Sequence, residues 1–352
     1  IGRGLGISLE QAGFLVSARS LAGIATPAVV SVVGRGERRV RLIVAGLAFF
    51  VTGTALTAAT NAYLGALIGF VLLGVAKPVF DISAQSYLAD RTPYARRARY
   101  LSVLELTWAG SLLVGAPAAG WLIGRLGWQA PFWALAGLGA LSLWAVSWVL
   151  EADHHVETGQ QARLRLDRSA AVLLVVVGLF TLAAEVTIVV FGAWLEDEFA
   201  LSLVALGGAA TLIALAELTG EGTTLAFADR IGKRRTVALG LTISVAAFAS
   251  LGPLSSSLGW GLGAMAIAFA GFELTIVSTI PLATEVLPAA RARFLALLMV
   301  AVALARAAGA AVGPALFAWQ GLGANTYTSA GTGLVALLLL LGLVEERAHD
   351  RH

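Results

Sequence analysis

The sequence predicts an all-α polytopic membrane protein, and three observations support this fold class. The 352 residues are 58% hydrophobic and only 13% charged, with a mean hydropathy of +0.85. Soluble domains are about 25% charged and about 45–50% apolar, so this chain has too few polar residues to cover a water-exposed surface. Apolar runs of membrane-spanning length recur along the chain, and basic residues concentrate in alternate loops. The chain has no cysteine, which excludes disulfides and thiolate metal sites, and no cofactor or metal is predicted.

A helix needs about 20 apolar residues to cross the hydrocarbon core of a bilayer, and polar or Gly-rich interruptions divide this chain into eleven such spans. The predicted spans are residues 10–33, 42–60, 63–88, 101–123, 128–149, 169–194, 202–226, 236–256, 258–283, 294–318 and 325–344. Three long apolar stretches require a turn inside them. We place these turns at 60–62, 124–127 and 321–325, where small and polar residues cluster.

Loop charge predicts the orientation, because cytoplasmic loops are enriched in Lys and Arg. Nineteen of the 24 Lys and Arg residues fall in one set of alternate loops and in the C-terminal tail, two fall on the opposite side and three lie inside spans. The basic side is therefore predicted to be cytoplasmic. This places the C-terminus in the cytoplasm and the protein in the inner membrane, and it explains the basic composition without nucleic-acid binding.

The two halves of the chain are related by an internal repeat. Arg97-Ala98-Arg99 recurs as Arg291-Ala292-Arg293, and other matches follow in the same order at offsets near 194 residues. We predict an N-terminal bundle at 1–150, a polar cytoplasmic linker at 151–168, and a C-terminal bundle at 169–352. The second half holds six predicted spans and the first half five, so the repeat predicts a twelfth helix that would precede residue 1.

Two six-helix halves, a polar linker and a basic turn after the second helix of each half resemble the major facilitator superfamily. The resemblance covers the whole chain except that family's first helix. Its most specific element is the run Asp-Arg-Ile-Gly-Lys-Arg-Arg at 229–235, which is similar to the family's loop signature. That signature implies a cytoplasmic latch which joins the two halves in one conformation and parts in the other. The residues that carry the signature here are Asp229, Arg230, Gly232, Lys233 and Arg234.

Two further segments bear on the subfamily. The run from Lys77 to Trp121 is similar to bacterial efflux-type permeases of the superfamily. The family's antiporter signature, Gly-x-x-x-Gly-Pro, is expected on the fifth helix. Its clean form here runs from Gly309 to Gly313-Pro314 on the eleventh helix, so antiport does not follow from this motif.

Ionisable residues inside the predicted spans are the main candidates for function. A charge at the centre of a membrane helix costs about 2.5–3.5 kcal/mol on insertion scales, so those that persist are paired, hydrated or functional. Lys77 and Asp81 are four residues apart on one helix face and can pair directly across Pro78. Mid-span charges occur at Arg19, Lys77, Glu185, Glu217, Glu273 and Arg306, and Asp81, Glu105 and Glu221 lie nearer the cytoplasmic ends. Structural ion pairs between helices are the alternative reading of all of them.

The resemblance implies separate roles for these residues. In the family, helices one, four, seven and ten line a central cavity, and helices two, five, eight and eleven form the seam between the halves. By this correspondence the substrate- or proton-binding candidates are Lys77, Asp81, Glu185 and Glu273. The candidates for charge interactions at the seam are Arg19, Glu105, Glu217 and Arg306.

The predicted function is secondary active transport of a small organic molecule by alternating access, with proton-coupled efflux as the preferred form. Enzymatic activity is not predicted, because the phosphate-loop, His-Glu-x-x-His and Gly-x-Ser-x-Gly motifs do not occur in the sequence. The partners predicted are the substrate, protons and the lipid bilayer. The alternative is a non-transporting protein of the same fold that acts as a receptor, chaperone or structural subunit, with a partner chain in the place of the first helix.

Overall fold

The computed structural model describes residues 2–24, 26, 39–91, 111, 113–150, 166–287 and 290–344. The chain divides into two compact units, residues 1–160 and 161–352. Within the described residues, both units are built from α-helices joined by short turns. Eight of these helices are long and apolar enough to cross a membrane.

The N-terminal unit contains six described helices. They are α1 (Gly2–Leu5), α2 (Leu9–Ile24), α3 (Arg39–Ala59), α4 (Tyr63–Arg91), α5 (Leu113–Leu126) and α6 (Ala130–Val149). Helix α4 packs against both α2 and α3, and α3 also packs against α6. Small residues permit these contacts: a Cβ atom on Gly74 of α4 would lie 2.1 Å from the carbonyl oxygen of Arg19 on α2. Such close backbone approach is typical of helix pairs in membranes.

The surface of α6 is apolar almost all around. Only Ala136 and Gly139 are buried, whereas Trp133, Trp144 and Trp148 are exposed on its outer surface. A water-exposed helix would carry polar residues on that face. This pattern agrees with a helix that borders lipid.

The C-terminal unit contains the remaining described helices. They are α7 (Arg168–Ile188), α8 (Phe191–Phe199), α9 (Leu203–Ile231), α10 (Lys233–Leu254), α11 (Leu258–Val286) and α12 (Arg291–Leu343). Helix α7 packs against α12, and α11 packs against α9 and α10. The core between α7, α10 and α11 is aromatic, with ring contacts that link Phe180, Phe272, Phe269 and Phe248 in series.

The structure confirms one of the predicted turns closely and displaces a second. Helix α3 ends at Ala59 and α4 begins at Tyr63, so the turn at 60–62 is confirmed. The next turn is displaced: α5 continues to Leu126, and the chain turns at 127–129 rather than at 124–127. The predicted spans at 10–33 and 101–123 extend into residues outside the described ranges, so the total of eleven spans stays a prediction.

The third predicted turn was wrong in its extent. Helix α12 is interrupted only at Gln320 and Gly321, and residues 322–325 are already helical. Gly321 has φ 64° and ψ −163°, a conformation that only glycine adopts without strain, and together with Gln320 it redirects the chain. We refer to the two parts as α12a (291–319) and α12b (322–343).

The predicted span at 169–194 lies within a helical stretch from Arg168 to Phe199 that is long and apolar enough to cross a membrane. Val189 and Val190 form a turn between α7 and α8, with backbone angles that stay in the right-handed helical region, and we call this turn the break. Neither α7 nor the break contains proline.

Candidate functional site

Four charged residues of the C-terminal unit lie close enough for their charges to interact. Glu217 and Glu221 lie on α9, Glu273 lies on α11, and Arg306 lies on α12a. The charges that act on Glu273 are those of Glu217, Glu221 and Arg306, and Arg306 also acts on Glu217. All four belong to helices of membrane-spanning length, and the three carboxylates are half-buried. We call these four residues the acidic cluster.

Close contact between α9 and α11 brings the carboxylates together. A Cβ atom on Gly220 would lie 2.3 Å from the carbonyl oxygen of Ala270 and 3.1 Å from the Cβ atom of Glu273. Only a glycine therefore permits this separation of the two backbones. Glu217 and Glu221 lie one helical turn apart on either side of Gly220, so both are directed to the same side of α9.

A hydrogen bond holds the two helices together on the far side of the cluster. The hydroxyl of Ser278 donates to the hydroxyl of Thr224 at 3.5 Å, and both residues are buried. The acidic cluster is thus fixed by backbone packing at Gly220 and by a polar contact one turn further along α9.

Glu185 occupies a different place, on the last turn of α7 before the break. Its side chain packs against α12a, where a Cβ atom on Gly309 would lie 2.7 Å from the Cβ atom of Glu185. Two residues further along α7, Thr187 is fully buried and its hydroxyl oxygen lies 2.7 Å from that of the buried Ser329 on α12b. The structure therefore places Glu185 in close packing with α12a, while Thr187, on another face of α7, contacts α12b.

The pairing predicted for Lys77 and Asp81 is confirmed. The Lys77 ammonium group donates to the Asp81 carboxylate one helical turn along α4, on either side of Pro78. Both side chains are more than one third exposed, at 44% and 38%. Their role in substrate binding stays a prediction.

The loop signature adopts the conformation that its glycine permits. Gly232 has φ 97°, a value that residues with a side chain rarely adopt, and it forms the N-cap of α10. The next two residues contact helices of their own unit. Lys233 pairs with Glu285 on α11, and the guanidinium group of Arg234 donates to the carbonyl oxygens of Leu340 and Leu341 at the end of α12b.

These contacts assign an anchoring role within the C-terminal unit to Lys233 and Arg234. The side chains of Asp229 and Arg230 lie outside the described ones, and so does Glu105. The latch that the signature predicts between the two halves, with its proposed parting during transport, stays a prediction.

Two charged residues of these contacts, Glu221 and Glu285, were not among the predicted site residues. Glu221 is predicted to lie nearer the cytoplasmic end of its span, although its spacing of four from Glu217 places both on one helix face. Glu285 stands three residues before Pro288, as Asp90 stands three before Pro93, so the repeat contains a signal for it.

The charge pattern does not favour a resident metal. Among the described residues, no group of three or more His, Asp and Glu side chains is arranged to hold a metal ion. The acidic cluster also contains an Arg, whose positive charge opposes a bound cation.

The fold and the site define a class: a multi-pass α-helical membrane protein with interacting charges inside its spans. A sequence model of the Major Facilitator Superfamily matches residues 1–176 and 173–352. The chain belongs to this superfamily, which confirms the fold predicted from the sequence. The superfamily consists of transporters and not of enzymes, as predicted.

Curated relatives match part of the chain. The inner membrane transport protein YdhP of Escherichia coli K12 is 27% identical over 175 residues, which are 49% of this chain and 43% of that protein. The MFS-type transporter YwfA of Bacillus subtilis 168 is 29% identical over 110 residues, 31% of this chain and 26% of that one. The chain thus aligns with less than half the length of either relative.

Solved structures share the fold along almost the whole chain. A D-xylose–proton symporter is similar with a TM-score of 0.79 and 17% identity, covering 96% of this chain and 88% of that one. The human organic anion transporter MFSD10 is similar with a TM-score of 0.69 and 21% identity, covering 94% and 83%. At this level of identity the similarity establishes the fold.

Proposed function

We propose that this protein is a secondary active transporter which moves a small organic molecule by alternating access and couples its efflux to protons. The observation that carries the proposal is the acidic cluster, in which three carboxylates and one Arg interact inside helices of membrane-spanning length. Ionisable residues within membrane spans commonly mark substrate paths and proton relays. The transporters among the relatives and similar structures support the same activity.

The acidic cluster contains three carboxylates, which are suited to proton transfer, and one guanidinium group, which is not. Each carboxylate can take up and release a proton, whereas a guanidinium group stays protonated under physiological conditions. Arg306 acts on both Glu217 and Glu273. When a proton binds Glu273, that carboxylate becomes neutral and the positive charge of Arg306 acts on Glu217. When the proton leaves Glu273, both carboxylates again attract Arg306.

The charge balance favours a cationic or zwitterionic substrate with an apolar part. The cluster has three acidic residues to one basic residue, and in the N-terminal unit Lys77 is neutralised by Asp81. An anion would be repelled by this arrangement. The similar structures act on a sugar and on organic anions, so the shared fold does not determine the substrate.

The inner membrane is the proposed location, with the C-terminus in the cytoplasm. The relative YdhP is an inner membrane protein, and the distribution of basic residues predicts this orientation.

The test is proton-driven transport in proteoliposomes by Glu273→Gln and Glu185→Gln proteins. The probes are tetraphenylphosphonium, ethidium and a panel of zwitterionic amino acids, ranked first by thermal shift of the purified protein. We expect a pH gradient to drive accumulation of the best ligand by the wild type. At least one of the two variants should lose gradient-driven accumulation by about tenfold or more while it retains ligand exchange.

Glu198→Gln is the matched control, because Glu198 is an exposed carboxylate on α8. It should transport as the wild type does. Full gradient-driven transport by both Glu273→Gln and Glu185→Gln would contradict the proton role. Binding without accumulation of any probe by the wild type would favour a non-transporting receptor.

A further inference from the structure

The break between α7 and α8 leaves a carbonyl group without its usual helical partner. In an α-helix the amide of Val190 would donate to the carbonyl of Val186, four residues back. Here it donates to the carbonyl of Thr187 at 3.3 Å, three residues back. Inside a membrane no water replaces such a donor, so the Val186 carbonyl requires one from elsewhere in the protein.

Asn325 of α12b supplies that donor. Its side-chain amide donates to the carbonyl oxygen of Val186 at 2.7 Å and to the carbonyl oxygen of Gly313 on α12a at 2.8 Å. Asn325 is fully buried. One side chain thus joins three helical segments at the point where α7 ends.

The helix α12a packs directly on the same break. A Cβ atom on Gly313 would lie 2.5 Å from Cγ1 of Val189 and 2.7 Å from the carbonyl oxygen of Val186. A Cβ atom on Gly309 would lie 2.7 Å from the Cβ atom of Glu185. The Gly-x-x-x-Gly-Pro motif of the eleventh predicted span therefore has a function here in packing, because it lets α12a approach the end of α7.

Ser329 holds α7 one turn further from the break. Its hydroxyl donates to the carbonyl oxygen of Ala183 at 2.5 Å, so the 2.7 Å contact with Thr187 has the Thr187 hydroxyl as donor. Asn325 and Ser329 are four residues apart and lie on one face of α12b. The end of α7 is thus held both by polar groups of α12b and by the close approach of glycines of α12a.

We propose that Asn325 is a positioning residue that fixes the break in α7 and thereby the place of the Glu185 carboxylate. Glu185 directly precedes Val186, whose carbonyl Asn325 binds, so a shift of this backbone moves Glu185 with it. The role of Glu185 itself rests on the proposed function. The hydrogen-bonded support of the break rests on the contacts alone.

The test compares Asn325→Leu with Thr326→Val in the full chain, reconstituted in lipid nanodiscs. Leu has the same number and branching of side-chain heavy atoms as Asn but cannot donate a hydrogen bond. Thr326 is the matched control, because it is equally buried on the same helix and donates only to the carbonyl of Gly323 within α12b. Two quantities are measured: amide hydrogen exchange across 186–191, and labelling of Glu185 by dicyclohexylcarbodiimide at neutral pH, read by peptide mass.

In Asn325→Leu we expect exchange across 186–191 to be about tenfold faster and carbodiimide labelling of Glu185 to change by about threefold or more. Labelling of Glu273 should stay constant, which distinguishes a local change from general loosening. Thr326→Val should alter neither quantity. Exchange equal to that of Thr326→Val, or faster exchange with unchanged labelling of Glu185, would overturn the proposal.

If Asn325→Leu does not fold, Asn325→Ala gives the decision. It removes the hydrogen bonds to Val186 and Gly313 without inserting a larger side chain, and we expect the same changes in exchange and labelling. Unchanged exchange and labelling would overturn the proposal. Neither readout uses transport, so this outcome is independent of the transport test of Glu185 and Glu273.

Discussion

Replacement of Gly220 by Ala tests the packing that assembles the acidic cluster. The new Cβ atom would lie 2.3 Å from the carbonyl oxygen of Ala270, whereas ordinary contacts begin at 3.4 Å. The obstacle is backbone, which cannot rotate away, so α9 and α11 must separate by about 1 Å. Overpacking of this kind costs about 1–3 kcal/mol.

Gly222→Ala is the matched control on the same helix. A Cβ atom on Gly222 meets nothing within 4 Å. Both substitutions gain the same helix propensity, about 1 kcal/mol. The difference in unfolding free energy between the two variants therefore isolates the packing cost, and we expect Gly220→Ala to be less stable by about 1–3 kcal/mol.

The assay is reversible unfolding in mixed micelles with increasing sodium dodecyl sulfate, followed by tryptophan fluorescence. Equal unfolding free energies for the two alanine variants would refute the close contact of α9 with α11 at this point. Gly220→Ala should also weaken proton-driven transport, because it moves Glu217 and Glu221 away from Glu273. Gly222→Ala should leave transport unchanged.

Three further predictions concern the ends of the helices and the orientation. Glu285→Gln should lower stability by about 1 kcal/mol, and exchange of the two charges, Lys233→Glu with Glu285→Lys, should recover most of the loss in the same unfolding assay. Gly321→Ala should cost about 1–3 kcal/mol because its backbone conformation excludes a side chain, whereas Gly323→Ala, in open helical surroundings, should not destabilise. A single cysteine placed at 345–352 of this cysteine-free chain should react with an impermeant maleimide only in permeabilised cells; reaction in intact cells would reverse the predicted orientation.

The membrane spans could be predicted because composition alone determines them. A run of apolar residues excludes a water-exposed loop wherever it occurs, so α3, α4, α6 and α11 fall where the hydropathy places them. Turns are predicted less well, because the sequence shows which residues permit a turn but not how many take part. All five residues at 321–325 are compatible with a turn, but in the structure the chain turns at Gln320 and Gly321.

The sequence predicted the individual residues of the candidate site but not how they are arranged in space. A charge within a span is visible in the sequence, which identified Glu185, Glu217, Glu273 and Arg306. Helix packing at positions such as Gly220 determines which of these residues lie on a common surface. The chain contains 40 glycines, so the sequence does not show which of them brings two helices together. The break at 189–190 was not predictable for the same reason, since its support comes from Asn325, more than 130 residues further along the chain.

The Lys233–Glu285 pair and the acidic cluster of the C-terminal unit differ in net charge. We associate the neutral pair with anchoring and the negatively charged cluster with the proposed transport. Lys233 pairs one to one with Glu285, which is the arrangement expected of a structural contact. At Glu273, two negative charges and one positive charge act together, so the cluster lacks positive charge. A set of carboxylates held together in apolar surroundings without compensation would destabilise the bundle strongly. On the function proposed above, a proton or a cationic substrate supplies the compensating positive charge and leaves again in each transport cycle.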